Sequence, residues 1–529
     1  LSIDVSEQGS DGWWMQQLWR QLSSQQKRFQ LLEDYRCGRP RLVLGSEAVR
    51  SAFARFQRVA RSNFADVIVQ AMTERMAVRA IRTAKDSTDN GDDQAQAMWK
   101  ANALDIFQSD VYRMMATFGI GYTSLALPDD GDETDDGDTE GPGDVDFPLV
   151  TVEDPRQVVT IEDPVNPLKT RAAFKLYHDQ MAAEDVAILW LPGRKIVATR
   201  PRAARIAPPP SQVNLTGPPP LVPVSFSAAA FTIDEARSES YSLKQIPVVP
   251  FGNRDRVGEF ELHLDLLDRI NHMILQRIVI ATMQAFKQRA IELSDLATDD
   301  PNDPRGLPTH DDEGNPIDYD DLFSADPGAL WRLPVGAKIW ESQQADITGI
   351  LTAVKDDAMH LAVVTRTPFS MFTPDAANQS AEGAQLQREG LVFKVEDRCR
   401  IAARSWAEVM SIAFQMMGDS ERAPVGGISV DWVPAERYSL AERSQADASA
   451  LSLPWAQKMR IIWGMTPAEV QIAQAQRAQD AMLAAVAAPQ APTIGGQPNR
   501  AQEQPRIPAA SVPDAGSDSA VTGDGSAGN

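Results

Sequence analysis

The densest set of chemistry-bearing side chains lies between Pro128 and Asp146. That run holds ten carboxylates (Asp129, Asp130, Asp132, Glu133, Asp135, Asp136, Asp138, Glu140, Asp144, Asp146) and no base. Closely spaced oxygens of this kind could hold calcium. The run lacks the EF-hand spacing and the flanking helix pattern, so a solvated acidic loop is the better reading and no metal site is expected. The five histidines (His178, His263, His272, His310, His360) are scattered. His263 and His272 share one helical stretch, but at a spacing that does not set two ligands at one level. Cys37 and Cys399 form no metal-type pair and read as reduced thiols. The P-loop pattern G-x-x-x-x-G-K-[ST] is missing, as are H-E-x-x-H, C-x-x-C and G-x-S-x-G. FGIGY at 118–122 falls short of a dinucleotide-binding fingerprint. Acid pairs such as Asp356/Asp357 carry little information in a chain with 73 acidic residues. The expectation is no catalytic residue, no cofactor and no enzyme.

A second stretch stands out for what it lacks. From Thr367 to Gln387 there is no Lys or Arg. Before it, Ile347, Ile350, Leu351, Val354, Ala358 and Leu361 recur at helical spacing. Pro368 and Pro374 then break the pattern, and a long helical pattern resumes through 418. This helix, proline-bounded loop and long helix read as a unit whose loop touches a moving polymer.

Length and charge limit what the rest can be. At 529 residues the chain is long enough for roughly two to four domains. The net charge of −22 argues against a conventional sequence-specific DNA-binding surface, which should be basic. It leaves room for a partner that passes nucleic acid without gripping it. No apolar run approaches the roughly 20 residues of a membrane span, and no signal segment opens the chain. The first residue is Leu, which is read as a processed start or an unusual start codon.

The elements that position these features follow from periodicity and punctuation. Residues 11–36 predict an amphipathic helix through Trp14, Leu18, Leu22, Phe29 and Leu32, stopped by Gly38 and Pro40. Residues 63–80 predict a helix through Phe64, Val67, Ile68, Ala71, Met72, Met76 and Ala80. Gln96–Thr117 predicts another, followed by a glycine turn into a strand over 118–127. Strands are expected over 147–163, 170–179 and 186–200, which makes the acidic loop a hairpin connection inside an α+β domain. Residues 201–223, with two PPP runs, suit an exposed loop. A helix over 257–291 carries Phe260, Leu264, Leu267, Ile270, Ile274 and Ile278 on one face, widened by Ile280, Met283 and Phe286. About 31 residues of it would make a rod of roughly 46 Å. Residues 292–345 form a small polar subdomain, strand-like at 330–340. Residues 428–434 read as a short strand and 439–488 as helices broken near Pro454 and before Pro467, with Thr466 as a cap. Gly383 and Gly390 inside the long helical pattern suggest a bend. The tail from 489 has no aromatics and reads as disordered.

Taken in order, several segments resemble the portal proteins (head-to-tail connectors) of tailed bacteriophages, in the Gp6-like group of actinobacterial phages. LLEDYRCGRPRL (31–42) is similar to that group's YY-G-x-x-L segment. NFADVIVQAMTERMAVRAIR (63–82) resembles its N-W-x-x-x-V-V-x-A-V-x-E-R-L-x-V-x-G-F-R helix. MWKANALDIFQSDVYRMMATFGIGYTSLA (98–126) looks like its W-x-x-N-x-L-D … A-L-x-x-G-x-x-Y segment. VEDPRQVVTIEDP (152–164), IPVVPFGNRDRVGEFE (246–261) and QAFKQRAI (284–291) also match. The acidic loop, the PPP segment and the C-terminal tail depart from the pattern.

The resemblance implies an α+β, predominantly helical portal fold with wing, long-helix stem, clip and helical crown, assembled as a ring, typically a dodecamer. It implies a wing over 1–256, stem helices over 257–291 and 346–366, and a clip over 292–345. It also implies a tunnel loop over 367–382, a long helix and second wing part over 383–436, and a crown over 437–488. Phe372, Thr373, Asp375, Asn378, Gln379, Ser380 and Glu382 would face the DNA channel. Ile270, Ile274, Ile278, Ile350, Val354 and Leu361 would pack the stem. Trp331, Leu333, Ile339 and Trp340 would meet terminase and the adaptor. Implied partners are other copies of the chain, double-stranded DNA passing without sequence preference, the terminase large subunit, a head-tail adaptor, the major capsid protein and scaffold, with no membrane. The implied place is the virion vertex after assembly in the host cytoplasm. The rival expectation is a minor capsid or scaffold-associated protein without a DNA channel.

Overall fold

Ser10 opens the first helix, α1 (Asp11–Arg36), by accepting a hydrogen bond from the Trp13 N–H at 3.2 Å. Asp11 in its first turn and Arg36 in its last complement the helix dipole. The computed structural model describes residues 3, 5, 7–40, 58–86, 91–127, 147–201, 226–243, 245–285, 289–292, 313–314, 338–341, 346–373, 381–436, 440–465 and 467–487. The chain divides into two units, Leu1–Ile472 and Ala473–Asn529. The second is described only where the helix Pro467–Ala487 lies in it.

α1 serves two cores. Met15, Leu18, Trp19 and Leu22 pack with a five-stranded sheet, while Phe29, Leu32 and Tyr35 join the main core. α2 covers Phe64–Thr73 and stops there. The helix expected to continue to residue 80 gives way to strand β1, Val78–Arg82. The reason is tertiary: Gln108 Oε1 accepts from the Val78 N–H at 2.9 Å, and β1 pairs antiparallel with Ser429–Trp432 far along the chain. The single helix expected over 96–117 is also two. α3 (Asp93–Ala101) is capped by Asp92, which accepts from the Gln94 and Ala95 N–H groups at 3.0 and 3.2 Å. Ala103 turns the chain at φ 48° before α4, Leu104–Phe118.

Gly119, at φ 82°, ends α4 and starts β2, Ile120–Ala126. β2 is central in a three-stranded sheet, between β3 (Leu149–Glu153) and a strand formed by Val248–Gly252. Ala126 faces Leu149 across the β2–β3 pair, as the hairpin reading requires. The acidic run itself lies outside the described residues. β4 (Val158–Glu162), β5 (Thr170–Asp179), β6 (Glu184–Leu191), β7 (Arg194–Pro201) and β8 (Thr232–Ser240) form an antiparallel meander. Most of the PPP segment falls between β7 and β8, outside the described residues. Val248–Gly252 is β9.

The helix expected over 257–291 begins only at Leu264. α5 spans Leu264–Ala285, 22 residues, and so about 33 Å. Ahead of it Arg254–Arg256 and Glu261–His263 form two tight 3₁₀ turns. β10 (Arg289–Glu292) and β11 (Lys338–Glu341) pair, and α6 (Thr348–Thr365) follows. α7, Ala381–Met416, has 36 residues and spans about 54 Å. A Cβ on Gly390 would meet only the Cβ of Arg366, at 3.9 Å, so space does not demand glycine there. β12 is Ser429–Trp432, and α8 (Leu440–Ser449), α9 (Trp455–Ile461) and α10 (Pro467–Ala487) end the described chain. α10 starts on a proline, as expected; Thr466 and the tail lie outside the described residues. The fold is mixed helix and sheet, with helix the larger part.

α7 anchors the main core. Val409, Met410, Ile412, Ala413 and Phe414 are all fully buried near its end. Trp406, also fully buried, stacks edge-on against Trp99 and Phe251, with ring centroids 4.7 and 4.8 Å apart. Its indole N–H donates to the Tyr112 hydroxyl at 2.7 Å, so the largest buried side chain leaves no polar atom unpaired.

Candidate nucleic-acid interface

The stretch singled out by its missing bases starts at the end of α6, one of a pair of packed helices. α5 and α6 pack against each other, and the strands that leave their facing ends pair antiparallel, Arg289 opposite Glu341. The apolar stripe shared by the two helices is graded. Ile270 and Leu361 are fully buried, with Leu267 and Ala358 beside them in the main core. Ile274, Ile278, Ile350 and Val354, nearer the paired strands, are only half-buried. An exposed ion pair, Arg269–Asp357 at 2.6 Å, ties the two helices at their rim. Leu351, Met359, Val363 and Val364 leave apolar surface open on α6.

α6 is capped by Arg366, which takes the left-handed conformation at φ 53°. The Thr367 N–H returns to the Ala362 carbonyl at 2.9 Å and the Thr365 hydroxyl donates to the Leu361 carbonyl at 2.6 Å, so the helix end is satisfied locally. Phe369–Met371 makes one 3₁₀ turn. Phe372 then points inward: it is 8% exposed and meets Phe64 edge-on, with ring centroids 5.1 Å apart. Its ring is thus an anchor for the start of the loop and is not available to line a channel. Thr373 is half-buried. Asp375, Asn378, Gln379 and Ser380 lie outside the described residues. Glu382 has its backbone in α7 and Ile339 and Trp340 theirs in β11, with no side chain described; Trp331 and Leu333 lie outside the described residues.

Beneath the loop start is a charge cluster that sequence reasoning missed. Lys394 of α7 and Glu259, ahead of α5, are each 5% exposed and 2.9 Å apart. Arg398 donates to the other oxygen of Glu259 at 2.7 Å, and Asn253 donates to that same oxygen at 2.9 Å. Lys394 also donates to the Thr365 carbonyl at 3.0 Å. Arg254 and Arg398 share Asp397, each at 2.6 Å. Burial alone would raise the Glu259 carboxyl, but Lys394 and Arg398 together hold it below the usual carboxylate range. Burial lowers Lys394, and its attraction to Glu259 offsets this only in part because Arg398 and Arg366 repel it. Two cations on one anion thus set the direction at Glu259, while burial sets it at Lys394. The one sequence signal was Lys394 itself, on the same helical face as the apolar Leu391 three residues before it.

Among the described residues, no group of His, Cys, Asp and Glu is arranged to hold a metal ion. No described helix is long and apolar enough to cross a membrane. Cys37 is exposed and Cys399 buried, neither in a disulfide; burial pushes the Cys399 thiol up to about 12.

The described geometry is thus a helix pair, α5 and α6, with one buried ion cluster where the chain leaves α6 and α7 running through the main core. Residues 224–481 match a family model described as "Phage portal protein, SPP1 Gp6-like". The portal protein of Mycobacterium phage D29 is 22% identical over 375 residues, covering 69% of this chain and 67% of that protein. Together these matches support a phage portal protein, as the resemblance in the sequence implies. A solved structure titled "Neck of empty GTA particle computed with C6 symmetry" aligns with 80% of this chain and 95% of its own at 12% identity and a TM-score of 0.40.

Proposed function

We propose that the chain is the subunit of a portal ring at one capsid vertex, through which double-stranded DNA is packaged and ejected. In this reading 1–256 is most of the wing, α5 and α6 are the stem, 292–345 is the clip, and 367–382 is the tunnel loop. Residues 383–436 carry the long helix and the rest of the wing, and 437–488 form the crown. The clip would meet the terminase large subunit and later a head-tail adaptor. The capsid shell and scaffold would contact the wing and crown. The protein would be a non-enzymatic virion component assembled in the host cytoplasm.

The observation that carries the reading is the packed helix pair of α5 and α6. Within the residues matched by the portal family, two paired helices run from a closed strand pair to a base-free loop and then into α7. α6 leaves Leu351, Met359, Val363 and Val364 open. A neighbouring copy in a ring would cover such surface. A channel must also hold DNA weakly. Each Lys or Arg on a phosphate adds salt-dependent affinity, and a polymer gripped at many points would not slide. A loop bearing Asp375, Asn378, Gln379, Ser380 and Glu382 meets that need, and a net charge of −22 keeps the wall from adding grip.

The test places bases in the loop. Asn378→Lys with Gln379→Lys should leave ring assembly intact and slow packaging, with the rate recovering as salt is raised. Wild-type packaging rates at low salt would rule out the sliding loop.

A further inference from the structure

We propose that Lys394 is the positioning residue of the loop that leaves α6, tying the end of that helix to α7 and to the turn ahead of α5. Only the loop's role as a channel lining rests on the portal reading; the tie stands on geometry alone.

One ammonium group serves three elements. It projects from α7, donates to the carbonyl of Thr365, the last residue of α6, and pairs with Glu259. A cation is favoured at that helix end by the dipole, and the orphan carbonyl gains a donor. Glu259 is held in turn by Arg398 and Asn253, and its own N–H donates to the Ala116 carbonyl of α4 at 2.7 Å. The cluster therefore connects the root of the loop to the main core.

Stability does not explain why charge is used here. A buried ion pair is often no more stabilising than apolar side chains of similar volume, and its best-attested use is to select one arrangement. The surrounding backbone points the same way. Asp255, Arg256 and Arg366 all have positive φ, at 55°, 54° and 53°, three of the five such non-glycine residues described. Strain of this kind persists where the surroundings over-determine the geometry. A cavity of about 520 Å³, lined by Glu259, Val364, Arg366, Lys394 and Arg398 among others, adjoins the tie. Without the tie, the end of α6 has room to move.

The test reads position. In a Cys37→Ser background, spin labels go on Ser370→Cys, exposed in the first turn of the loop, and Arg400→Cys, exposed on α7. Buried Cys399 stays unlabelled. Labelled subunits are diluted with unlabelled ones and distances are measured by double electron-electron resonance. The parent should give one narrow distribution. Lys394→Met should shift or broaden it while circular dichroism shows an intact fold. Glu259→Gln keeps the shape and removes only the charge, so it decides the matter if Lys394→Met does not fold. Arg269→Met, which breaks the exposed stem pair, should change nothing. An unchanged distribution in a folded Lys394→Met or Glu259→Gln protein overturns the proposal, as does an equal shift in Arg269→Met. Electron micrographs of the same samples report rings or their absence, so failure of the portal reading is seen separately.

Discussion

Phe372→Ala tests whether the loop is anchored in the core or free from its first residues. The side chain is 8% exposed, its ring 5.1 Å from that of Phe64 at an interplanar angle of 86°. Truncating a buried Phe costs about 3–5 kcal/mol. The residual exposure and the position at a chain turn, where neighbours can relax, place this site near the lower end, about 3 kcal/mol. Of that, the edge-to-face pair accounts for about 1 kcal/mol. Phe372→Leu keeps most of the buried area and should cost about 1 kcal/mol. Urea unfolding followed by tryptophan fluorescence reads these values from the midpoint at constant slope. A double-mutant cycle with Phe64→Ala should return about 1 kcal/mol of coupling. A Phe372→Ala cost below about 0.5 kcal/mol, the range of an ordinary surface substitution, would show that the ring does not anchor the loop.

Three further outcomes follow from the same geometry. Gly119→Ala should destabilise by about 2 kcal/mol or more, because φ is 82° and a Cβ there collides with the Arg256 carbonyl; thermal unfolding measures it. Acid should loosen the junction. The folded-state pKa of Glu259 is depressed, so its contribution is full above its unfolded value of about 4.3 and is lost as pH falls through the folded value. The acid limb of a stability–pH curve should accordingly flatten in Glu259→Gln. Trp406→Phe should cost about 2 kcal/mol, since it opens a void among Trp99, Tyr112 and Phe251 and strips the Tyr112 hydroxyl of its donor; calorimetry reads it.

The sequence was most informative where apolar spacing was regular and long. α1, α6 and α7 follow from it closely because each buries a stripe over several turns. It misled where tertiary pairing overrode local pattern. MTERMAVRA continues a helical stripe, yet the chain turns after Thr73 so that Val78–Arg82 can meet Ser429–Trp432. The left-handed Ala103 has no marker, since alanine is an ordinary helix former. β8 went unseen because TIDEARSES lacks the alternation of a half-buried strand; it has no fully buried residue. The end of α6 was legible as helical periodicity followed by Pro368. The charges beneath the loop were not, because burial of Lys394 depends on Glu259, which lies far off in sequence and meets it only in the fold.

The portal reading is tested most directly by electron microscopy of the purified full chain. It predicts closed rings with a central hole wide enough for a DNA duplex, formed without DNA or any other protein. Monomers, or open sheets at high concentration, would contradict it.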